Sequence, residues 1–374
     1  MRPVRVLQFG GGVFLRGFFN WMMQKAIDAG VYDGNAVIVR SRTTGADPLA
    51  ENGFKYTHIA RDGAHNDLTD IDCISGSVGI GSDDFYKYAT SDDLEVVVSN
   101  TTEAGIVYKE EGGTYPYFLT EFLRKRYLAG KRGLLIIPCE LIENNGDTLK
   151  EYVLAHAKDS GFCEWLEREC DFRNTLVDRI VSGGDALTNS SEYFHLFVIS
   201  GKEDSRLPFA KAGLNVKWVD DVNDYRKIKV RVLNGAHTSM IPHALLCGCE
   251  TVADCLENGE IRTHLENCLS EILVTLDGAE DYAREVLSRF ANPHIDHKCR
   301  AIALNSFEKF KVRVLPSILE YKKITGENPK TLLFSLYELV RFYKEDEPSD
   351  DADVIEYIRS GSFEKIAADM GIEL

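Results

Sequence analysis

The stretch Val4-Arg5-Val6-Leu7-Gln8-Phe9-Gly10-Gly11-Gly12-Val13-Phe14-Leu15-Arg16 decides how this chain is to be read. Val4 to Phe9 is a short β-rich run. Three glycines follow, and from Val13 to Met23 apolar residues recur at helical spacing. Strand, glycine turn, helix is the layout that cradles a dinucleotide pyrophosphate, because glycines admit close backbone approach and a helix start offers free N–H groups to an anion. Of the usual G-x-G-x-x-G, Gly10 and Gly12 are present and the third glycine would fall at Leu15, so the common fingerprint is incomplete. A ligand-free glycine turn is the plain alternative.

Reading outward, strand-like and helix-like segments alternate. Ala36 to Val39, Leu94 to Asn100 and Gly133 to Pro138 read as strands, the last nearly all apolar, as for a strand buried on both faces. Phe194 to Ile199 and Val216 to Val219 are further candidates. The alternation predicts an α/β, Rossmann-like, doubly wound parallel sheet. Beyond Asp220 to Asp224 strand signals fade, and 261–276, 281–290, 301–314 and 330–343 read as helices. The expected division is residues 1–222 for dinucleotide binding and 223–374 for a mostly α-helical substrate and catalytic domain.

That second domain opens with Lys229-Val230-Arg231-Val232-Leu233-Asn234-Gly235-Ala236-His237. On an α-helical wheel Asn234 lies about 140° and His237 about 80° from Lys229. Leu233, Ala236 and Met240 fall close to the lysine, which puts Lys229 inside the apolar stripe. Burial lowers the pKa of an ammonium, and a lysine so placed becomes a proton acceptor near neutral pH. A lysine snorkelling to water from a core helix is the alternative.

Taken together, these segments resemble the polyol-specific long-chain dehydrogenases, the mannitol dehydrogenase family. Its nucleotide loop, G-x-G-x-F-x-R, is matched by Gly10, Gly12, Phe14 and Arg16, and its signature K-x-x-x-x-N-x-x-H by Lys229, Asn234 and His237. Blocks at 99–106, 137–142, 174–181, 233–238 and 289–293 extend the likeness from about Val4 to about Pro316. The resemblance implies NAD-dependent, metal-independent interconversion of a secondary alcohol and a ketone on an open-chain sugar acid in hexuronate catabolism, with D-altronate and D-tagaturonate as the pair. Lys229 would be the general acid/base, Asn234 the oxyanion donor and His237 a hydroxyl ligand. One departure stands out. Mannitol-type members carry an oxyanion-binding asparagine where this chain has Leu141, so Asn144, Asn145 or a backbone N–H would have to complete that site. Fructuronate/mannonate or hexitol dehydrogenation, a sugar-acid epimerase retaining NAD, and a nucleotide-binding scaffold without turnover are the other readings.

Further candidates lie where strands end. Thr101, Thr102 and Glu103 either line the cofactor pocket, as the resemblance favours, or form a polar cap. After the second strand come Arg40-Ser41-Arg42, with no acid until Asp47. This local chemistry permits NADP, whereas the resemblance implies NAD. Asp178-Arg179 reads as an ion pair near the site, with a proton-relay role for Asp178 allowed by the resemblance. His294 and His297 lack the i, i+4 spacing of a helical metal pair, so no metal is expected, and His297 is read as a helix cap or a substrate contact. Lys298, Arg300 and Lys309 are the cations considered for a substrate carboxylate.

Composition sets the outer bounds. A formal net charge of −16 argues against nucleic acid or anionic membrane as a partner. An anionic substrate would therefore need a local basic pocket. Nine cysteines, an odd number without framework spacing, fit thiols in a reducing cytosol. With no signal peptide and no apolar run of membrane-spanning length, the expectation is a cytoplasmic protein, monomeric or weakly homo-oligomeric, acting on a small molecule.

Overall fold

The computed structural model describes residues 2–41, 47–101, 105–182, 184–185, 187–295 and 297–374. The chain divides into two compact units, Met1–Asn223 and Asp224–Leu374.

In the first unit the described strands are, in chain order, β1 (Val4–Phe9), β2 (Asn35–Arg40), β3 (Tyr56–Arg61), β4 (Asn66–Ile71), β5 (Ile74–Gly79), β6 (Val96–Ser99), β7 (Leu135–Pro138), β8 (Asp171–Phe172), β9 (Thr175–Asp178), β10 (Val181–Ser182), β11 (Thr188–Glu192), β12 (Leu196–Ser200) and β13 (Val216–Val219). Six make a parallel sheet in the order β5-β2-β1-β6-β7-β8. Side chains alternate across it. Val6, Ala36, Ile38, Val96, Val98, Leu135 and Ile137 enter one core with the Phe19–Asp28 helix. Leu7, Phe9, Val37, Val39, Val97 and Ile136 enter another, beneath the helices Tyr115–Leu128 and Asn145–His156. Period-two side chains covered on both faces are what a doubly wound sheet requires.

The two later strand candidates lie elsewhere. β12 pairs with β13 in parallel and with β9 antiparallel in a separate three-stranded sheet. A four-stranded sheet, β10-β11-β3-β4, completes the unit. Its exposed edge reads as polar residues, such as Asn66, Asp67 and Asp70, which carry no continuous apolar signal.

The first helix is interrupted. It runs Val13–Gly17, then restarts as Phe19–Asp28. A Cβ on Gly17 would lie 2.8 Å from Val181 Cγ1 and 3.0 Å from His58 Cε1, so glycine permits the approach to the second sheet. The carbonyls released at the break are taken up: Tyr56 Oη donates to Arg16 O (2.8 Å) and Arg179 Nη1 to Gly17 O (2.9 Å).

The second unit is helical. Its core joins Leu233, Ala236 and Met240 to Leu265, Leu269 and Ile272 of the Gly259–Leu273 helix and to Leu332, Leu336 and Leu339 of Lys330–Glu345. The segment expected as one helix over 301–314 is two, Cys299–Ile302 and Ser306–Arg313, separated at Asn305, which has φ +52°.

Candidate active site

In the first unit, β1 is followed by Gly10 with φ +108°, a conformation other residues rarely adopt. A Cβ there would come within 2.6 Å of Asn100 O. The turn is fixed from beneath: Asn20 Nδ2 donates to Gln8 Oε1 (2.7 Å), and Gln8 Nε2 donates to Gly10 O (2.9 Å). Above it lies a cavity of about 760 Å³ lined by Gly10, Gly11, Val39, Arg40, Ser41, Thr101 and Lys109, among others. The room, the glycine backbone and the position at the carboxyl ends of β1, β2 and β6 suit a dinucleotide.

Gly10, Arg40 and Thr101 thus border one space. Gly12 caps the Val13–Gly17 helix, and a Cβ on it would meet nothing within 4 Å. Phe14 stacks on Phe18 (5.2 Å between centroids), and the buried Arg16 guanidinium lies 5.4 Å from the Tyr56 ring. Thr102 and Glu103 lie outside the described residues. Arg40 forms an ion pair with Asp47 at 2.6 Å, so the acid that appears late in the sequence stands beside the arginine.

Glu140, absent from the sequence-based candidates, organises the strand ends. It is buried, and its carboxylate accepts from Ser99 Oγ (2.9 Å), Thr101 N (2.8 Å) and Thr101 Oγ1 (2.9 Å). Burial raises its pKa, and these donors oppose the rise.

Asn145, expected as an oxyanion or substrate donor, is engaged by the backbone. Its Nδ2 donates to Pro138 O (3.0 Å), Glu140 O (3.0 Å) and Thr175 O (3.2 Å), and its Oδ1 accepts from Gly146 N (2.9 Å) and Thr175 N (2.8 Å). A carboxamide has two donor hydrogens, and backbone carbonyls occupy them. Asn144 stands in the left-handed region (φ +47°), with its Oδ1 accepting from Asn223. Leu141 is exposed. Asp178 is buried at the end of β9. Arg179 packs on Trp21 at 4.0 Å and donates to Glu192 O (3.0 Å). Burial lowers the Arg179 pKa to about 9, and Glu192 is the foremost opposing charge, not the adjacent Asp178.

In the second unit the helical wheel needs correction. Asn223–Lys229 is α-helical, but Val230–Asn234 is a π-turn, and Gly235 N–H reaches back to Val230 O, five residues earlier. In such a turn residues five apart stand over one another, so Lys229 and Asn234 share a face and are not 140° apart. The α-helix Gly235–Leu246 then places His237, three residues on, above Asn234. The K-x-x-x-x-N-x-x-H spacing is therefore one face of a helix that changes pitch. Gly235 sits at the change. A Cβ there would press within 3.2 Å of Arg313 O.

Lys229 is buried, with 9% of its surface exposed. His237 lies flat on Phe290 (4.0 Å between centroids, 15°), and the His297 ring meets it edge-on (4.9 Å, 85°). His237 Nε2 is buried without a hydrogen-bond partner. Burial holds His237 neutral, well below its ordinary pKa, and His297, Arg289, Arg313 and Lys309 push the same way. Burial also lowers the His297 pKa. Arg289 and Arg313 escaped the sequence reading. Arg289 sits in a block quoted only for its likeness, and nothing around Arg313 sets it apart. Arg300 instead pairs with Asp346 at 2.8 Å on the surface. Lys309 donates to Ile302 O (2.9 Å), and Lys298 caps the Cys299–Ile302 helix.

The mannitol dehydrogenase Rossmann-domain profile matches residues 4–211, and the mannitol dehydrogenase C-terminal-domain profile residues 221–365. The chain belongs to the mannitol dehydrogenase family. It is accordingly an oxidoreductase, of the polyol dehydrogenase type. Among curated relatives, altronate oxidoreductase of Bacillus subtilis (strain 168) is 40% identical, over 96% of this chain and 83% of that protein. Altronate oxidoreductase of Halalkalibacterium halodurans is 37% identical over 96% and 82%. Two solved structures share the fold of this family member. D-sorbitol dehydrogenase in substrate-free form has a TM-score of 0.85 at 22% identity, covering 96% of this chain and 87% of its own. The Pseudomonas fluorescens mannitol 2-dehydrogenase ternary complex with NAD and D-mannitol has 0.79 at 19% identity, covering 96% and 85%.

Proposed function

We propose that the chain interconverts D-tagaturonate and D-altronate with NAD(H). The feature that carries the sugar-acid reading is a group of cations beside the buried His237, namely the buried Arg289, Arg313, whose Nη1 reaches Thr238 Oγ1 at 3.4 Å, and Lys309, in a chain of net charge −16. A carboxylate gains most where cations are gathered out of water. The names of the curated relatives support the same substrate pair.

Nicotinamide supplies the hydride in reduction and receives it in oxidation. The remaining work falls to this chain. Protonated Lys229 donates to the oxygen of the carbonyl being reduced and gives up its proton; in oxidation the neutral amine takes the proton from the hydroxyl. Asn234, on the same helical face, donates a hydrogen bond to the oxyanion as charge develops. His237 Nε2, otherwise without a partner, is available to a neighbouring substrate hydroxyl. His297 keeps that imidazole in place from the side. The residues lining the first-unit cavity fit the cofactor, and the Arg40–Asp47 pair favours NAD over NADP, since an arginine already neutralised offers less to a 2′-phosphate.

Among the described residues no helix is long and apolar enough to cross a membrane, and the nine cysteines are free thiols. Free thiols accord with a small-molecule enzyme of a reducing cytoplasm. The direct experiment follows NADH absorbance with D-tagaturonate, D-fructuronate and D-fructose. Preference for tagaturonate is expected; equal efficiency with fructose discards the sugar-acid assignment.

A further inference from the structure

The Gly235–Leu246 helix carries a second cluster of reactive side chains at its far end, not used by the proposed reaction. His243 and Cys247 are four residues apart, so they project from the same side of the helix. Glu260, at the start of the Gly259–Leu273 helix, faces them. One donor atom from each of the three lies within 4.8 Å of the other two. His243 is buried, whereas Glu260 and Cys247 are exposed.

The imidazole sits between two carboxylates. Its Nδ1 is 2.9 Å from Glu338 Oε2, and its Nε2 is 3.4 Å from Glu260 Oε1. Glu338 is buried and held by Arg341 Nη1 at 2.9 Å. An ionised carboxylate only accepts, so Nδ1 carries the hydrogen toward Glu338. In the neutral ring, the Nε2 lone pair then points at a second carboxylate. A positive charge belongs between them, either a second proton on the ring or a cation. Three features favour the cation. A histidine whose far nitrogen donates to a buried carboxylate is the usual outer support of a metal-bound imidazole. The third donor is sulfur, which adds little to a proton but suits a borderline-soft ion. A tetrahedral ion with bonds of about 2.0–2.3 Å separates its ligands by roughly 3.5 Å, which the Nε2–Oε1 spacing already meets.

We propose that His243 Nε2, Cys247 Sγ and Glu260 bind one divalent transition-metal ion of the zinc type, with water as the fourth ligand. The ion replaces the Cys247 thiol proton, which passes to solvent, and ties the end of the Gly235–Leu246 helix to the start of Gly259–Leu273. It stands apart from Lys229, Asn234 and His237 at the other end of the same helical run, so the proposed hydride chemistry needs none of it.

The test uses full-length protein stripped by a chelator and titrated with Zn²⁺ against a chromophoric competitor, then with Co²⁺ alone. One equivalent should bind, and Co²⁺ should give tetrahedral visible bands and a thiolate charge-transfer band. Cys247→Ser should abolish the charge-transfer band and, like Glu260→Gln, weaken Zn²⁺ by at least about tenfold, the lower end of what outer-support changes alone cost. Both positions are exposed, and circular dichroism checks that each variant is folded. Absence of one-equivalent binding, or a Cys247→Ser protein that binds Zn²⁺ and Co²⁺ like the parent, overturns the proposal.

Discussion

Arg40 at the end of β2 is held by Asp47 through an ion pair of 2.6 Å. The arginine lines the cavity above the glycine turn, where a ribose phosphate would approach it. Asp47→Ala should free the guanidinium. The kcat/KM ratio for NADPH over NADH should then rise by about tenfold or more, the scale of one hydrogen bond to a charged group. An unchanged ratio would show that Arg40 does not meet the ribose.

Lys229→Ala should lower turnover by about 10²–10⁴-fold while NADH still binds, since general acid/base catalysis contributes on that scale. Fluorescence titration of NADH separates the two effects; equal loss of binding and turnover would sink the assignment. Asn234→Ala should lower kcat by roughly 10²–10³-fold and move KM less, as expected of a donor that strengthens only in the transition state. A raised KM with normal kcat would make Asn234 a plain substrate ligand.

The cations around His237 should decide acid against neutral sugar. Arg313→Gln, and separately Arg289→Gln, should reduce kcat/KM for tagaturonate more than for fructose. For the true carboxylate partner the difference should be on the order of 10²–10³-fold, the size of breaking a buried charge pair. If both sugars lose efficiency in parallel, the arginines support the fold and not the specificity.

Acid should destabilise this protein earlier than its carboxylates alone would dictate. Burial lowers the His58 pKa to about 3 and those of His195 and His264 to about 4, and keeps His237 well below its ordinary value. Each takes a proton near pH 6.5 once unfolded. Because the folded-state values are depressed, this stabilisation is complete above about pH 6.5 and is lost as pH falls toward the folded-state values. Near pH 5 the slope should approach about 5 kcal/mol per pH unit for four such protons. Urea midpoints measured between pH 5 and 7.5 report it, and a flat profile would contradict the buried neutral state.

Much of this was legible in the chain itself. The apolar runs of β1, β2, β6 and β7 are buried on both faces, and such strands announce themselves. β12 and β13 read as equally good strands, yet they build a different sheet, because apolar content fixes burial and not the partner. Asn145 illustrates a second limit. An asparagine beside a strand end looks like a ligand-binding group, and only the positions of Pro138, Glu140 and Thr175 reveal that its hydrogens are spent. Asp47 was visible as the next acid after Arg40, but a spacing of seven residues does not reveal an ion pair. The wheel placed Lys229 in the apolar stripe and misplaced Asn234, because the wheel assumes one pitch throughout.

That change of pitch matters to anyone who would move the constellation elsewhere. The Val230–Asn234 turn holds one residue more than an ordinary α-turn. Grafted letter for letter onto an ideal helix, Lys229 and Asn234 would point in different directions, and the transplant would keep its motif and lose its geometry. A faithful graft onto a regular helix would drop one residue between them, bringing the pair to i, i+4. By the same logic, a single deletion between Val230 and Leu233 in this chain would wind the turn back to α. Asn234 and His237 would then keep nearly their present direction relative to Lys229, at spacings of four and seven residues.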